Sequence, residues 1–212
     1  MGRPLKSYIS IAVVAAACAL SVADIPAPSA SAAECPDIEV VFARGTTQPP
    51  GLGEVGQAFV DSLASHVGTR SVEAYAVDYP ATWDFDTGMP AGSADASGHI
   101  QSVVTTCPKT RMVLGGYSQG AGVISMATAG MPPQIADHVA AVVLFGNLRS
   151  AYAATLMHAQ LPTVGTAYTG KTLDLCLPDD LICSDGQDWG AHTAYVRTGM
   201  ADQAAGFAAS RL

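Results

Sequence analysis

Between an apolar run that reads as a β-strand, Arg111-Met112-Val113-Leu114, and a run that reads as a helix, Ala121-Gly122-Val123-Ile124, the chain turns within Gly116-Tyr117-Ser118-Gln119-Gly120. A Gly-x-Ser-x-Gly string is common by chance, but a strand before it and a helix after it make a strand-turn-helix elbow. Such a turn forces its central residue into a strained backbone conformation. A Cβ at either flanking position would collide across the bend, which accounts for glycine at 116 and 120. The hydroxyl of Ser118 then projects above the sheet, open to substrate, and Ser118 is the candidate nucleophile.

The rest of the chain has the pattern that such an elbow requires. Short apolar runs at 38–43, 72–77, 111–114, 139–145 and 163–168 read as strands, several of them continuous rather than alternating, as buried parallel strands are. Between them, Val55, Phe59, Leu63 and Val67 recur every four residues, and Ile100, Val103, Val104 and Cys107 every three or four, so both segments read as amphipathic helices. A third helix is expected from just after Ser118 toward Met126, and a last one through Ala204, Phe207 and Ala208. Gly, Pro and Asp content makes Pro49-Pro50-Gly51, Met131-Pro132-Pro133 and residues 84–97 loops. The expectation is one α/β domain: a central, mostly parallel five-stranded sheet with helices on both faces.

The N-terminus is set apart from that domain. Arg3 and Lys6 precede an apolar stretch at 9–22, and the small-residue site Ala30-Ser31-Ala32 follows, which predicts a secretory signal peptide over residues 1–32 and a domain over 33–212. The apolar stretch falls short of the roughly 18 residues of a permanent membrane span, so an exported, soluble chain is expected, with association to the cell wall left open. Cys18 is not read as a lipid-attachment site, because Ala15 stands where such sites carry a larger aliphatic residue. The remaining cysteines, Cys35, Cys107, Cys176 and Cys183, read as two disulfides in an exported chain. Three pairings are formally possible; the close spacing of Cys176 and Cys183 favours a local bridge and leaves Cys35 with Cys107. In the chain-entropy model the long bridge contributes about 4 kcal/mol and the short one about 2–3 kcal/mol. A metal site is disfavoured, since there is no Cys-x-x-Cys pair and no histidine within a few residues of these thiols. The full chain has 10 basic and 18 acidic residues. Without Arg3, Lys6 and Asp24 it has 8 against 17, a net charge of −9, which argues against nucleic acid or an anionic membrane as partner.

A serine at its free pKa is a weak nucleophile, so a histidine must accept its proton and a carboxylate must orient that histidine. With an elbow of this type the order along the chain is Ser, then acid, then His. His138 opens an expected buried strand, and His158 sits among Leu156, Met157 and Leu161 with no nearby acid. His192 follows a loop rich in Asp and Gly near the end of the chain, and is the candidate base. For the acid, Asp174, Asp179, Asp180, Asp185 and Asp188 are all available. Asp179 and Asp180 are favoured by the bridge that would pin their loop, although an acidic pair after Pro178 would also serve to cap a short helix. These residues alone leave the two undivided.

Taken together, Gly116-Tyr117-Ser118-Gln119-Gly120, Cys176-Leu177-Pro178-Asp179-Asp180-Leu181-Ile182-Cys183 and His192 closely resemble the cutinase family, in the form of its members secreted by mycobacteria. The likeness runs from about Cys35 to Leu212. It implies a minimal α/β-hydrolase with little or no lid over the serine. It also implies Asp180 as the acid, four residues after the first cysteine of the second bridge, and the pairings Cys35 with Cys107 and Cys176 with Cys183. Phe42-Ala43-Arg44-Gly45-Thr46-Thr47 resembles the family's first strand and oxyanion turn, which assigns oxyanion donors to Thr46 and to the Gln119 amide.

The resemblance further implies a secreted serine esterase, needing no cofactor or metal and expected to be a monomer, that acts on carboxylic esters or lipids. Of the two stretches that correspond to the family's flaps, Ala81-Thr82-Trp83-Asp84-Phe85 keeps bulky apolar groups, whereas Ser184-Asp185-Gly186-Gln187-Asp188-Trp189 is polar. That departure favours short- to medium-chain acyl esters over cutin, with Trp83, Phe85 and Trp189 as candidate substrate contacts. An acetylxylan esterase, a phospholipase or a thioesterase would share the layout. A surface or binding protein that kept the fold and lost the activity is the alternative of another class.

Overall fold

The elbow strand lies at the centre of the sheet. The computed structural model describes residues 1–2, 35–158 and 160–212, so the leader expected over 1–32, Cys18 included, falls outside the described residues apart from its first two. Five strands, β1 Ile38–Ala43, β2 Val72–Ala76, β3 Arg111–Tyr117, β4 Val139–Phe145 and β5 Thr172–Leu175, stand in the order β2-β1-β3-β4-β5. All four pairings are parallel.

Because successive side chains of a strand point to opposite faces, each inner strand feeds two cores. On one face Val41, Ala43, Met112, Leu114, Val142 and Leu144 pack against α2 (Phe85–Thr106) and α3 (Gln119–Gly130). On the other, Val40, Phe42, Val113, Val143 and Phe145 meet α1 (Gly53–His66) and α6 (Met200–Ala209). The rings of Phe42, Phe59 and Phe145 form a cluster with centroids 6.1–6.3 Å apart below the elbow strand. Fully burying a side chain of this kind contributes about 1.5–3 kcal/mol. Two short helices complete the chain, α4 Ala151–Leu156 and α5 Trp189–His192. Disulfides join Cys35 to Cys107 and Cys176 to Cys183. Among the described residues no helix is long and apolar enough to cross a membrane.

Two expectations are corrected. The fifth strand is Thr172–Leu175, not 163–168, which is replaced by an approach segment and a 3-10 turn, Thr166–Lys171. Gly165 lies against the end of α3, where a Cβ would collide with the Thr128 carbonyl, so the chain wraps α3 before it reaches the sheet edge. The stretch 84–97 is no loop, because α2 begins at Phe85, capped by the Asp84 carboxylate, which accepts from the Thr87 N–H at 3.2 Å. Gly88 and Gly92 are contact points: a Cβ on Gly88 would lie 3.3 Å from the Gln119 side chain, and one on Gly92 would press on Tyr79 and Val123 at 3.0–3.1 Å. Close packing of α2 on α3 outweighs the weak helix propensity of Gly and Pro90.

Candidate active site

Ser118 sits between β3 and α3 with φ at +56°, a left-handed conformation that L-residues avoid, and is nearly buried. Its N–H donates to the Phe145 carbonyl at 2.9 Å, which fixes the turn to β4. A Cβ on Gly116 would strike the Gly120 carbonyl, and one on Gly120 the Ala43 carbonyl. The two flanking glycines are therefore a steric requirement of the bend.

His192 ends α5, whose first turn is capped by the Asp188 carboxylate accepting from Gly190 N–H at 2.6 Å. Its ring is 3% exposed, with Nε2 at 2.9 Å from Ser118 Oγ and Nδ1 at 2.8–2.9 Å from both oxygens of Asp180. An ionised carboxylate can only accept, so Nδ1 carries the proton and Nε2 is left to accept from the Ser118 hydroxyl. Tyr117 stacks on the imidazole with centroids 5.2 Å apart and donates its hydroxyl to the His192 carbonyl at 2.8 Å. Gly146, with φ at +56°, passes on another side, and a Cβ there would lie 2.8 Å from His192 Cε1.

Asp180 is fully buried and accepts two further bonds, from Ile182 N–H at 2.7 Å and from the Tyr195 hydroxyl at 2.6 Å. Burial pushes its pKa up, but the hydrogen bonds from His192 and Tyr195, the His192 charge and the Ile182 amide together outweigh that and hold it below the usual carboxylate range. The same contact works the other way on Tyr195: burial and the adjacent carboxylate push the phenol far up, so it remains a donor. The bridge from Cys176 to Cys183 closes the loop that carries Asp180. Ser150 N–H and Arg149 N–H, each donating to the Ile182 carbonyl at 3.1 Å, tie that loop to the segment after β4.

The other acidic candidates lie elsewhere in the hydrogen-bond network. Asp179 is exposed, and its carbonyl receives the Asp188 N–H. Asp174 faces Asn147 and Arg149. His138 ends a 3-10 turn, and His158, expected to have no nearby acid, has Asp86 at 3.5 Å from its Nδ1.

Thr46 stands at the apex of a turn in which Gln48 N–H donates to the Gly45 carbonyl and Gly45 N–H to Gln48 Oε1. The buried Arg44 guanidinium braces this turn by donating to the carbonyls of Gln48, Val77 and Tyr79. The Thr46 hydroxyl donates to Gln119 Oε1 at 3.2 Å, and the Gln119 amide group donates to the Thr82 carbonyl at 3.1 Å. Gln119 thus links the Thr46 turn to the Trp83 segment. Its own N–H is the first of α3, where no intrahelical acceptor exists and the helix dipole is positive.

These groups open on a cleft of about 170 Å³ whose lining includes Thr46, Trp83, Phe85, Leu156, Trp189 and His192. Trp83 is 59% exposed and Trp189 45%, while Phe85 is buried with its ring against Trp83. Among the described residues there is no group of three or more His, Cys, Asp or Glu able to hold a metal. Tyr195, Gly146 and the Arg44 brace escaped the sequence reading. A tyrosine three residues after a candidate base and a glycine after a strand carry no local pattern that distinguishes them from core residues.

The sequence matches the family model described as Cutinase over residues 34–212. Carboxylesterase Culp1 of Mycobacterium tuberculosis is 53% identical over 210 residues, covering 98% of this chain and 97% of its own. Phospholipase Culp4 of the same organism is 50% identical over 220 residues, 99% of this chain and 92% of its own. Among solved structures, a Trichoderma reesei cutinase in complex with a phosphonate inhibitor superposes with a TM-score of 0.69 at 35% identity, over 83% of this chain and 76% of that one. The family match and the identity along nearly the whole chain agree with the parallel sheet and the elbow, and the protein belongs to the cutinase family.

Proposed function

We propose that the protein is an exported carboxylic-ester hydrolase that works through an acyl-enzyme on Ser118, with His192 as base and Asp180 as the carboxylate that orients it. The observation that carries this reading is the continuous line of hydrogen bonds from Ser118 Oγ through both nitrogens of His192 to Asp180. His192 Nε2 takes the Ser118 proton as Oγ attacks the ester carbonyl, and Asp180 steadies the imidazolium. The amides of Thr46 and Gln119 receive the oxyanion at the positive end of α3. The Thr46 hydroxyl is engaged with Gln119 Oε1, so its donation to the oxyanion requires it to leave that partner. His192 next gives its proton to the departing alcohol. It then deprotonates a water that attacks the acyl carbonyl, and the acid leaves as Ser118 regains its proton.

The relative named carboxylesterase supports ester hydrolysis. Export is supported by the leader sequence and by two disulfides, bonds that persist in oxidising compartments. The small volume of the cleft supports an acyl group of short to medium length. A second reading, phospholipid hydrolysis by the same residues, is favoured by the relative named phospholipase.

Rates on p-nitrophenyl esters from acetate to laurate, on acetylated xylan and on phosphatidylcholine test this reading. Hydrolysis of short and medium esters is expected, abolished by Ser118→Ala with no loss of folding. A preference for carbohydrate acetates would overturn the lipid-ester reading, and activity retained by Ser118→Ala would overturn the mechanism.

A further inference from the structure

A second hollow of about 610 Å³ lies beside the cleft, between the start of α2, the end of α3 and the segment after α4. Its wall includes Phe85, Met89, Pro90, Met126, Met157 and Leu161. Phe85 lines both hollows, and Leu156 on the cleft is followed directly by Met157 on the groove, so the two surfaces meet along Phe85 and the 156–157 step. The partly buried Met126 and Met157, over the buried Met89, give this groove a flexible, polarizable lining that adapts to apolar chains. Its acidic residue, Asp86, is exposed and faces the exposed His158 at 3.5 Å. Two further hollows are of a different character. One, of about 430 Å³, is lined by Ser150, Ser184, Asp185 and Gln187 among others, and another includes Arg44, Gln48 and Asp78.

We infer that the Met89–Met126–Met157 groove binds a long apolar chain on the alcohol side of the ester, so that the substrate joins a short acyl group to a fatty alcohol or to a glyceride bearing a second chain. This rests on the proposed ester hydrolysis at Ser118. The cleft of about 170 Å³ accommodates the acyl group being transferred. Whatever is attached through the leaving oxygen must pass out of it, and the apolar exit runs over Phe85 into the groove. Full burial of each methylene would raise kcat/KM about fourfold, and half burial in an open groove about twofold.

The test measures acid release from butyrate esters of ethanol through dodecanol, and from a glycerol carrying one butyryl ester and one dodecyl ether. The wild type is compared with Met126→Glu, in α3, and Met157→Glu, just after α4, each checked for folding by circular dichroism. The readout is the ratio of kcat/KM for the dodecyl ester to that for the ethyl ester. A wild-type ratio of about ten or more, equal to half burial of roughly three of the added methylenes, reduced at least fivefold in a folded variant, is the expected result; the ether-glyceride arm tells whether a second glyceride chain or a fatty alcohol fits better. A flat alcohol-side series in the wild type overturns the assignment without any variant. So does an unchanged ratio in both folded variants, or chain-length dependence confined to the acyl side. Absence of hydrolysis of every ester in the series would instead overturn the ester reading, and the groove assignment with it.

Discussion

Replacing Tyr195 with phenylalanine removes one oxygen from the buried end of the Ser118–His192–Asp180 line while leaving the ring in its packing against Tyr117 and Phe145. The hydroxyl donates to Asp180 Oδ2 at 2.6 Å and accepts weakly from Leu177 N–H at 3.4 Å. A hydrogen bond to a charged group is worth about 1.5–3 kcal/mol. Asp180 keeps its bonds to His192 and Ile182, so that range is the expected loss of stability at pH 7. For a domain of this size it corresponds to a fall in Tm of roughly 3–12 °C. The loss should depend on pH. Asp180 is held below the ordinary carboxylate range, so its contribution is fully present above the unfolded value of about 3.9 and disappears as pH falls through the folded value. Without the hydroxyl the folded pKa moves up toward the ordinary range, and the two proteins converge in stability once both carry a protonated Asp180. If about 1 kcal/mol of the bond is needed while Asp180 faces the imidazolium, kcat falls roughly fivefold with KM little changed. Urea unfolding of the oxidised proteins from pH 7 to pH 3, beside steady-state kinetics, checks each part. A variant as stable as the wild type at pH 7, or a deficit that does not shrink on acidification, would refute the reasoning.

Other substitutions separate neighbouring residues. Asp180→Asn should lower kcat by about 10⁴, because the amide favours the wrong His192 tautomer, whereas Asp179→Asn, at an exposed side chain, should change it less than about threefold; equal effects in a kinetic comparison would remove Asp180 from its role. Gly146→Ala introduces a Cβ 2.8 Å from His192 Cε1 at a φ of +56°, so kinetics should show a loss of more than about a hundredfold, with a stability loss of about 1–2 kcal/mol in urea.

The inner strands were legible because burial on both faces writes itself as apolar sequence: β1 and β4 begin and end where the Ile38–Ala43 and Val139–Phe145 runs do. The edge strand β5 was not, since Thr172-Leu173-Asp174-Leu175 is only half covered and Thr163-Val164 looked equally β-prone. The start of α2 was hidden for a related reason. Gly88 and Gly92 lie against Gln119 and Val123 of α3, and contacts across the fold leave no mark on local propensity. At the site, Ser118 could be read from its own turn because the steric demand is local. The choice among five nearby aspartates could not, because what distinguishes Asp180 is complete burial with donors from three directions. One of them, Tyr195, reaches it from beyond His192.

The measurement that bears most directly on the central claim is covalent labelling of the mature, oxidised protein with a fluorophosphonate, read by intact mass and by peptide mapping. One adduct per chain, located on Ser118, lost in Ser118→Ala and strongly slowed in His192→Ala, is the predicted result. A folded protein that takes up no label, or that carries it on another residue while still hydrolysing esters, would contradict the account.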